Sequence, residues 1–352
     1  MNTPETQPDS HMYRADSGLP PVAVIILNWN GAALLRRFLP AVTANTDPAL
    51  GRVIVADNGS TDDSLRVLAD EFPGVEVMAF DANYGFAEGY NRAITATRYP
   101  YTVLLNSDVA PEPGWLGPLY DMMQADPTIG AIQPKVLSCD EPEKFEYAGA
   151  CGGYLDRNGF PYCRGRIFDT CEADRGQYDT PAEVFWASGA ALMVRSDVYL
   201  STGGLDTRFF AHMEEIDLCW RMRTAGYRVM VQPAAAIRHL GGGSLPASNP
   251  RKTYLNFRNN LLMLYKNLPQ AVRGRRLLRR KLLDGVAALK FALTLSFGNV
   301  AAVWRAHRDF GRMKADYTDL PDTPADALTG CPNILVNYYL RGRKTFDRLS
   351  RH

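Results

Sequence analysis

The sequence predicts an α/β fold with a mostly parallel central sheet, and three observations carry that prediction. Short apolar runs alternate with stretches of helical spacing from Val22 to Asp108. Strands and helices that alternate at this spacing need right-handed crossovers and a parallel sheet, with helices on both of its faces. The runs are apolar at nearly every position, as strands covered on both sides are. Each run also ends in polar residues, and in such sheets ligands bind beyond the carboxyl ends of the strands.

The first run, "VAVIILNWNG" (22–31), exits through Asn28 to Asn30 and leads into the helical spacing of "AALLRRFLPAV". "GRVIVADNGSTDDSLRVLADEF" (51–72) repeats that plan, with Asp57 and Asn58 at the exit. Ser60 or Thr61 is the expected N-cap of its helix, with acids in the first turn. "VEVMAF" is a third strand and "GFAEGYNRAITATR" a third helix, entered through Asn83. The glycines here stand where backbone must come close to a ligand. The fourth strand, "YTVLLNSDV", delivers Asn106, Ser107 and Asp108 just before two prolines that no sheet ladder accepts. After Pro113 the alternation relaxes. "FWASGAALMVRSDVY" (185–199) reads as an edge strand followed by a helix start, and "EEIDLCWRMRTAG" (214–226) as a helix stopped by Gly226. "YRVMVQPAAAIRHLGGGS" adds a strand and a glycine-rich turn, and beyond Asn256 the chain turns helical and basic.

The 352 residues carry a net charge of +1, but that mean hides an asymmetry. From Lys266 onward there are 17 Lys or Arg against 7 Asp or Glu, which leaves 22 against 31 before it. An acidic body with a basic tail is expected to face two different partners. The predicted organisation is a disordered leader over 1–20, a catalytic domain over 21–265 and a basic, mainly helical region over 266–352. None of the six cysteines forms a CxxC pair. Cys139, Cys151, Cys163 and Cys171 share one glycine-rich insertion, but their spacing fits reduced thiols in a cytosolic protein better than zinc. Val286 to Trp304 is apolar but interrupted by Lys290, Ser296, Gly298 and Asn299, which makes it marginal as a membrane span.

Asp108 with oxygen donors beside it suits a hard cation such as Mg²⁺ or Mn²⁺; the alternative is a turn that satisfies its own amides. Asp57 reads as an Asx turn or as an acceptor for the imide N–H of a pyrimidine. Glu214, Glu215 and Asp217 complement a helix macrodipole, and Asp217 is spaced to pair with Arg221. Trp186 is a platform for a sugar face or a core residue, and Asp206 in "GGLD" a turn residue. The dinucleotide fingerprint G-x-G-x-x-G is absent after the first strand, which reads "NWNGAALL". A P-loop is absent too, and nothing interleaves aromatic with basic residues as nucleic-acid modules do.

In order and spacing, "VIILNWNG", "VIVADNGSTDDS", "NYGFAEGYNRAI", "LLNSDV", "GGLDTRFFAHMEEIDLCWRMRTAGY", "HLGGGS" and "YLNFRNNLLMLYKN" resemble a family 2 inverting glycosyltransferase of the GT-A fold, in its rhamnosyltransferase-like branch. The resemblance spans Pro21 to about Lys266. It implies that Asp57 meets the nucleotide base and that Asn28, Asn30, Asn83, Gly85, Phe86, Asn91, Asn106 and Ser107 line the nucleotide-sugar pocket. Asn106-Ser107-Asp108 stands as a variant of the family's D-x-D motif with its first acid replaced, so Asp108 carries the metal, completed by His239. Glu214-Glu215-Ile216-Asp217 stands for Glu-Asp-x-Asp, which puts Glu215 in the place of the catalytic base, with Glu214 and Asp217 beside it.

The implied reaction moves a sugar from dTDP-rhamnose or a UDP-sugar to a hydroxyl of a glycan or lipid-linked acceptor during surface polysaccharide synthesis. A non-catalytic sugar-nucleotide-binding protein and a sugar nucleotidyltransferase are the rival readings. The basic, apolar stretch 273–312 is expected to meet an anionic membrane surface at the inner face of the cytoplasmic membrane, or else to pack as a bundle or form a homodimer.

Overall fold

The computed structural model describes Gly18 and residues 20–241, 249–318, 320, 323 and 325–349. The expected leader therefore lies almost wholly outside the described residues, as do most of the glycines that follow His239. The first half of the chain alternates as expected: β1 (Val22–Asn28), α1 (Ala32–Asn45), β2 (Gly51–Asp57), α2 (Ser64–Glu71), β3 (Glu76–Ala79), α3 (Gly85–Thr97) and β4 (Tyr101–Leu105). Then follow β5 (Val109–Pro111), α4 (Leu116–Ala125) and β6 (Ile129–Ser138). An insertion holds four short strands, β7 (Gly153–Leu155), β8 (Pro161–Cys163), β9 (Arg166–Ile167) and β10 (Thr170–Cys171), paired as a small antiparallel sheet. The chain returns through β11 (Ala182–Glu183), β12 (Ala191–Arg195), α5 (Ser196–Ser201), α6 (Glu214–Thr224) and β13 (Arg228–His239). It closes with α7 (Pro250–Asn267), α8 (Gln270–Leu293) and α9 (Phe297–Met313).

The large sheet has the order β11-β13-β6-β12-β4-β1-β2-β3, with β5 paired to β13. β1, β2, β3 and β4 are parallel neighbours, and β6 runs parallel to β13. Alternate residues of β1 feed two cores. Val22, Val24 and Ile26 pack with α1, α2 and α4 on one face. Ala23 and Ile25 pack with α3, α5, α6 and α7 on the other.

Three expectations are corrected. The strand within 185–199 lies inside the sheet, antiparallel between β4 and β6, because Ala191 to Val194 are buried on both sides. Helix α2 begins at Ser64, after Ser60 and Thr61. The Ser60 hydroxyl instead accepts the Asn30 N–H, and the Thr61 N–H goes to Asn30 Oδ1. The boundary at 265 falls within α7, whose Lys266 is ion-paired to Asp206 and Asp217 in the body.

Candidate active site

Parallel register brings the polar exits to one rim: Asn28 pairs with Asp57, Ile26 with Leu105, and Asp57 with Ala79. At the first two exits the side chains mostly organise one another. Asn28 Nδ2 donates to Asp57 Oδ2 at 2.9 Å, and Asp57 Oδ1 accepts the Ser60 N–H. Asp57 is 0% exposed, so the Asx-turn reading holds and direct contact with a base is corrected. Asn28 keeps Oδ1 without a partner. Asn30, left-handed at φ 50°, uses its Oδ1 on the turn before α2.

At the start of α3, Asn83 Oδ1 accepts from Asn58 Nδ2 and from the Gly85 N–H. Gly85 has φ 77°, which a side-chain-bearing residue would resist. Phe86 rests edge-on against Tyr90. Asn91 does not join the pocket. Its amide donates to Leu205 O, while its Oδ1 accepts from the Tyr199 hydroxyl and the Leu205 N–H, locking α3 to the loop after α5.

At the exit of β4, Asp108 Oδ1 lies 3.1 Å from His239 Nε2, and Glu146 Oε2 lies 3.2 Å from His239 Nδ1. Burial opposes charge on this imidazole, but its two carboxylate partners outweigh that and lift it to about 10. Burial likewise opposes the Asp108 charge, and the His239 hydrogen bond holds that carboxyl below its usual range. Asn106 Nδ2 sits 3.5 Å from the same ring nitrogen, and Ser107 is partly exposed beside it. No cluster of three or more His, Cys, Asp or Glu is arranged for a metal among the described residues. The donor set nevertheless fits Mg²⁺ or Mn²⁺ of the kind that keeps one carboxylate and draws its other ligands from phosphate and water. Asp108 and His239 are the residues that would hold it.

The acid pair reaches this rim through Gly189. A Cβ placed on Gly189 would lie 3.8 Å from Glu215 Cβ and 3.8 Å from Phe86 Cζ. The next residue, Ala190, accepts the Asn106 N–H at 3.0 Å. Glu215 and the Asn106-Ser107-Asp108 turn thus both lie against the Gly189–Ala190 backbone. Glu214 is buried, whereas Glu215 is partly exposed, and each keeps Oε2 without a partner. Burial and the neighbouring Glu215 push Glu214 well above the usual carboxyl range, and burial pushes Glu215 up to about 7. Unsatisfied carboxylate oxygens are costly in a folded core, which makes this pair a candidate for a functional role.

For Asp217 the pairing with Arg221 holds, and its place beside the base is corrected. It is 0% exposed, with Arg221 Nε at 2.9 Å, Lys266 Nζ at 2.8 Å and Asn267 Nδ2 at 2.8 Å from its oxygens. Burial resists its charge, but the Arg221 and Lys266 cations keep it ionised. It anchors α6 to α7 and cannot touch substrate. Asp206 caps the turn at Thr207–Phe209 and shares Lys266, as its turn reading implies. For Trp186 the core reading holds and the acceptor platform is corrected: 2% exposed, it donates Nε1–H to Tyr154 O, and a Cβ on Gly153 would overlap its ring. It is a core residue with no face open to an acceptor.

Sequence reasoning missed the loop that carries the acids. Phe210, His212 and Met213 are left-handed at φ 67°, 70° and 75°, a strained arrangement for residues with side chains. Buried Asn259 on α7 holds it, donating Nδ2 to the carbonyls of Phe209, Ala211 and His212 at 2.8–2.9 Å. Arg258 adds bonds to Arg208 O and Phe209 O. Burial, with the Lys252 charge nearby, pushes His212 down to about 4, so this imidazole is neutral. The available signal was "NFRNN" (256–260), a polar run inside an otherwise apolar helix.

A two-faced mixed sheet, parallel from β4 through β1 and β2 to β3, with acids and amides gathered on one rim, is the GT-A fold. Residues 23–171 match the family Glycosyl transferase family 2, and the chain carries a glycosyltransferase domain of that family. That match ends before the acid pair. The chain is 27% identical over 230 residues to the N-acetylglucosaminyl-diphospho-decaprenol L-rhamnosyltransferase of Mycobacterium tuberculosis (strain CDC 1551 / Oshkosh), covering 61% of this chain and 75% of that protein. Its fold resembles GalNAc-T7, crystallised with UDP, GalNAc and Mn²⁺, at a TM-score of 0.57 and 14% identity, covering 89% of this chain and 60% of that one. S. aureus TarS 1–349 with UDP-GlcNAc gives a TM-score of 0.54 at 12% identity, covering 85% and 81%.

Proposed function

We propose that this chain is an inverting glycosyltransferase that moves a sugar from a nucleoside-diphosphate donor, dTDP-rhamnose or a UDP-sugar, to a hydroxyl of a glycan or lipid-linked acceptor. The observation that carries this reading is the Glu215 carboxyl, one oxygen of which has no partner, placed beside the Gly189–Ala190 backbone that accepts a hydrogen bond from the turn holding Asp108. The name of the M. tuberculosis relative supports a rhamnosyl donor and a lipid-linked acceptor.

The chemistry needs one group at each end of the displacement. An acceptor hydroxyl attacks the anomeric carbon, the bond to the departing diphosphate breaks, and the configuration inverts. Glu215 takes the hydroxyl proton; a carboxyl raised to about 7 is matched to that task near neutral pH. Partial exposure favours Glu215 over the buried Glu214 as the group in contact with the acceptor. Mg²⁺ or Mn²⁺ held by Asp108 and His239 would supply Lewis-acid neutralisation of the diphosphate charge. The exposed Asn83 and the partly exposed Gly85 and Phe86 face the same rim and orient the donor.

A donor-hydrolysis screen over nucleotide sugars with Mg²⁺ or Mn²⁺ tests the reading. One donor class should turn over, and EDTA and Asp108→Ala should each abolish that activity. Turnover indifferent to both would remove the metal from the mechanism. Pyrophosphate release from a nucleoside triphosphate and a sugar phosphate would favour a nucleotidyltransferase instead.

A further inference from the structure

The basic tail does not form one charged face. Of the six cations in 273–281, four are tied to the protein. Arg273 donates to Leu268 O, Arg276 pairs with Asp326, Arg280 pairs with Asp284, and Lys281 lies over the Phe310 ring. Along its outward side α8 also carries an apolar stripe. Leu278, Leu282, Val286, Leu289 and Leu293 are each 60–77% exposed, at spacings of four, four, three and four. On a helix of 3.6 residues per turn these positions form a single stripe. The stripe continues past the break between α8 and α9 through Leu295, Phe297 and Trp304, each 64–75% exposed. Contiguous apolar surface of this kind marks an interaction site.

The charge around the stripe identifies its partner. The exposed charged residues of 270–313 are Arg275, Arg279, Lys290, Arg305, Arg308 and Arg312, all cations. The two acids of this stretch are engaged: Asp284 with Arg280 and His307, Asp309 with Arg308 and Tyr254. A second copy would set the same cations against each other, whereas an anionic lipid surface complements them. A span is ruled out here, because α8 ends at Leu293 and no described helix is long and apolar enough to cross a bilayer.

We propose that the outward face of α8 and the start of α9 lies flat in the headgroup–acyl boundary of an anionic bilayer, with the leucine stripe in the acyl region and the arginines at the phosphates. This deepens the acceptor half of the proposed reaction and rests on that reading for its purpose. Its test needs neither donor nor acceptor.

The whole chain is sedimented with phosphatidylcholine vesicles with and without phosphatidylglycerol. Binding should appear only with the anionic lipid and weaken as salt is raised. Arg275→Gln and Arg279→Gln should each weaken it about fivefold. Leu282→Glu with Leu289→Glu should abolish it while turnover on a water-soluble acceptor is retained. Absence of binding to anionic vesicles by the unaltered chain would overturn the proposal. So would a concentration-dependent dimer that the glutamate pair dissolves in the absence of lipid binding. If the unaltered chain binds vesicles but no nucleotide sugar turns over, the surface stands and the proposed reaction fails.

Discussion

Asn259 donates its side-chain amide to the carbonyl of His212 at 2.8 Å, and to those of Ala211 and Phe209 as well. One buried residue on α7 thus fixes a loop in which three side-chain-bearing residues are left-handed, directly before Glu214 and Glu215. Asn259→Asp keeps the size but faces those carbonyls with a carboxylate. The loop should relax, and kcat should fall about 10²-fold through misplacement of the base. Donor affinity, set at the strand exits, should change little. Steady-state kinetics with a separate donor-binding titration checks the split.

Lys266 joins Asp206 and Asp217, neither of which is open to solvent. Removing the cation from a buried cluster strands the carboxylates. Lys266→Ala should therefore cost about 3–5 kcal/mol of stability, read from urea unfolding. Both acids are held below their usual range, so their contribution is present above the ordinary carboxyl pKa and is lost as pH falls through the depressed values. The unaltered protein should lose stability on that acid side, and Lys266→Ala should lose less of it.

His239 separates Asp108 from Glu146 and supplies the positive charge between them. His239→Ala should lower the melting temperature of the metal-free protein, because two carboxylates then face one pocket without a cation. Mn²⁺ should restore part of that loss. Thermal unfolding with and without Mn²⁺ makes the comparison, and the absence of any Mn²⁺ effect in either protein would argue against a cation site at Asp108.

The sheet was legible because its parallel strands are apolar throughout and their exits are polar, a local pattern that needs no partner to be recognised. β12 was misplaced at an edge because its five residues look the same in either position; only its pairing with β4 and β6 distinguishes them. The sequence leaves Trp186 open between platform and core and does not show that Asn91 turns away from the pocket, because their orientations depend on Gly153 and Leu205, which lie far from them in sequence. Glu146 was invisible for the same reason: it reaches His239 from within the insertion. Asp217 was named among the acids correctly placed on α6, but its burial follows from Lys266 and Asn267 on another helix.

Glu215→Gln tests the account most directly, because it removes the proton acceptor and keeps the shape. Donor affinity should be unchanged, while turnover falls about 10²–10⁴-fold. In the unaltered enzyme kcat should rise as pH passes through about 7, where the Glu215 carboxyl loses its proton. Between the ordinary carboxyl range and about 7 the folded chain retains a proton that the unfolded chain has released, so stability should decline as pH rises across that window and level off above it, and Glu215→Gln should lessen that decline. A Glu215→Gln enzyme that turns over at the unaltered rate, with the same pH profile, would contradict the assignment of the base.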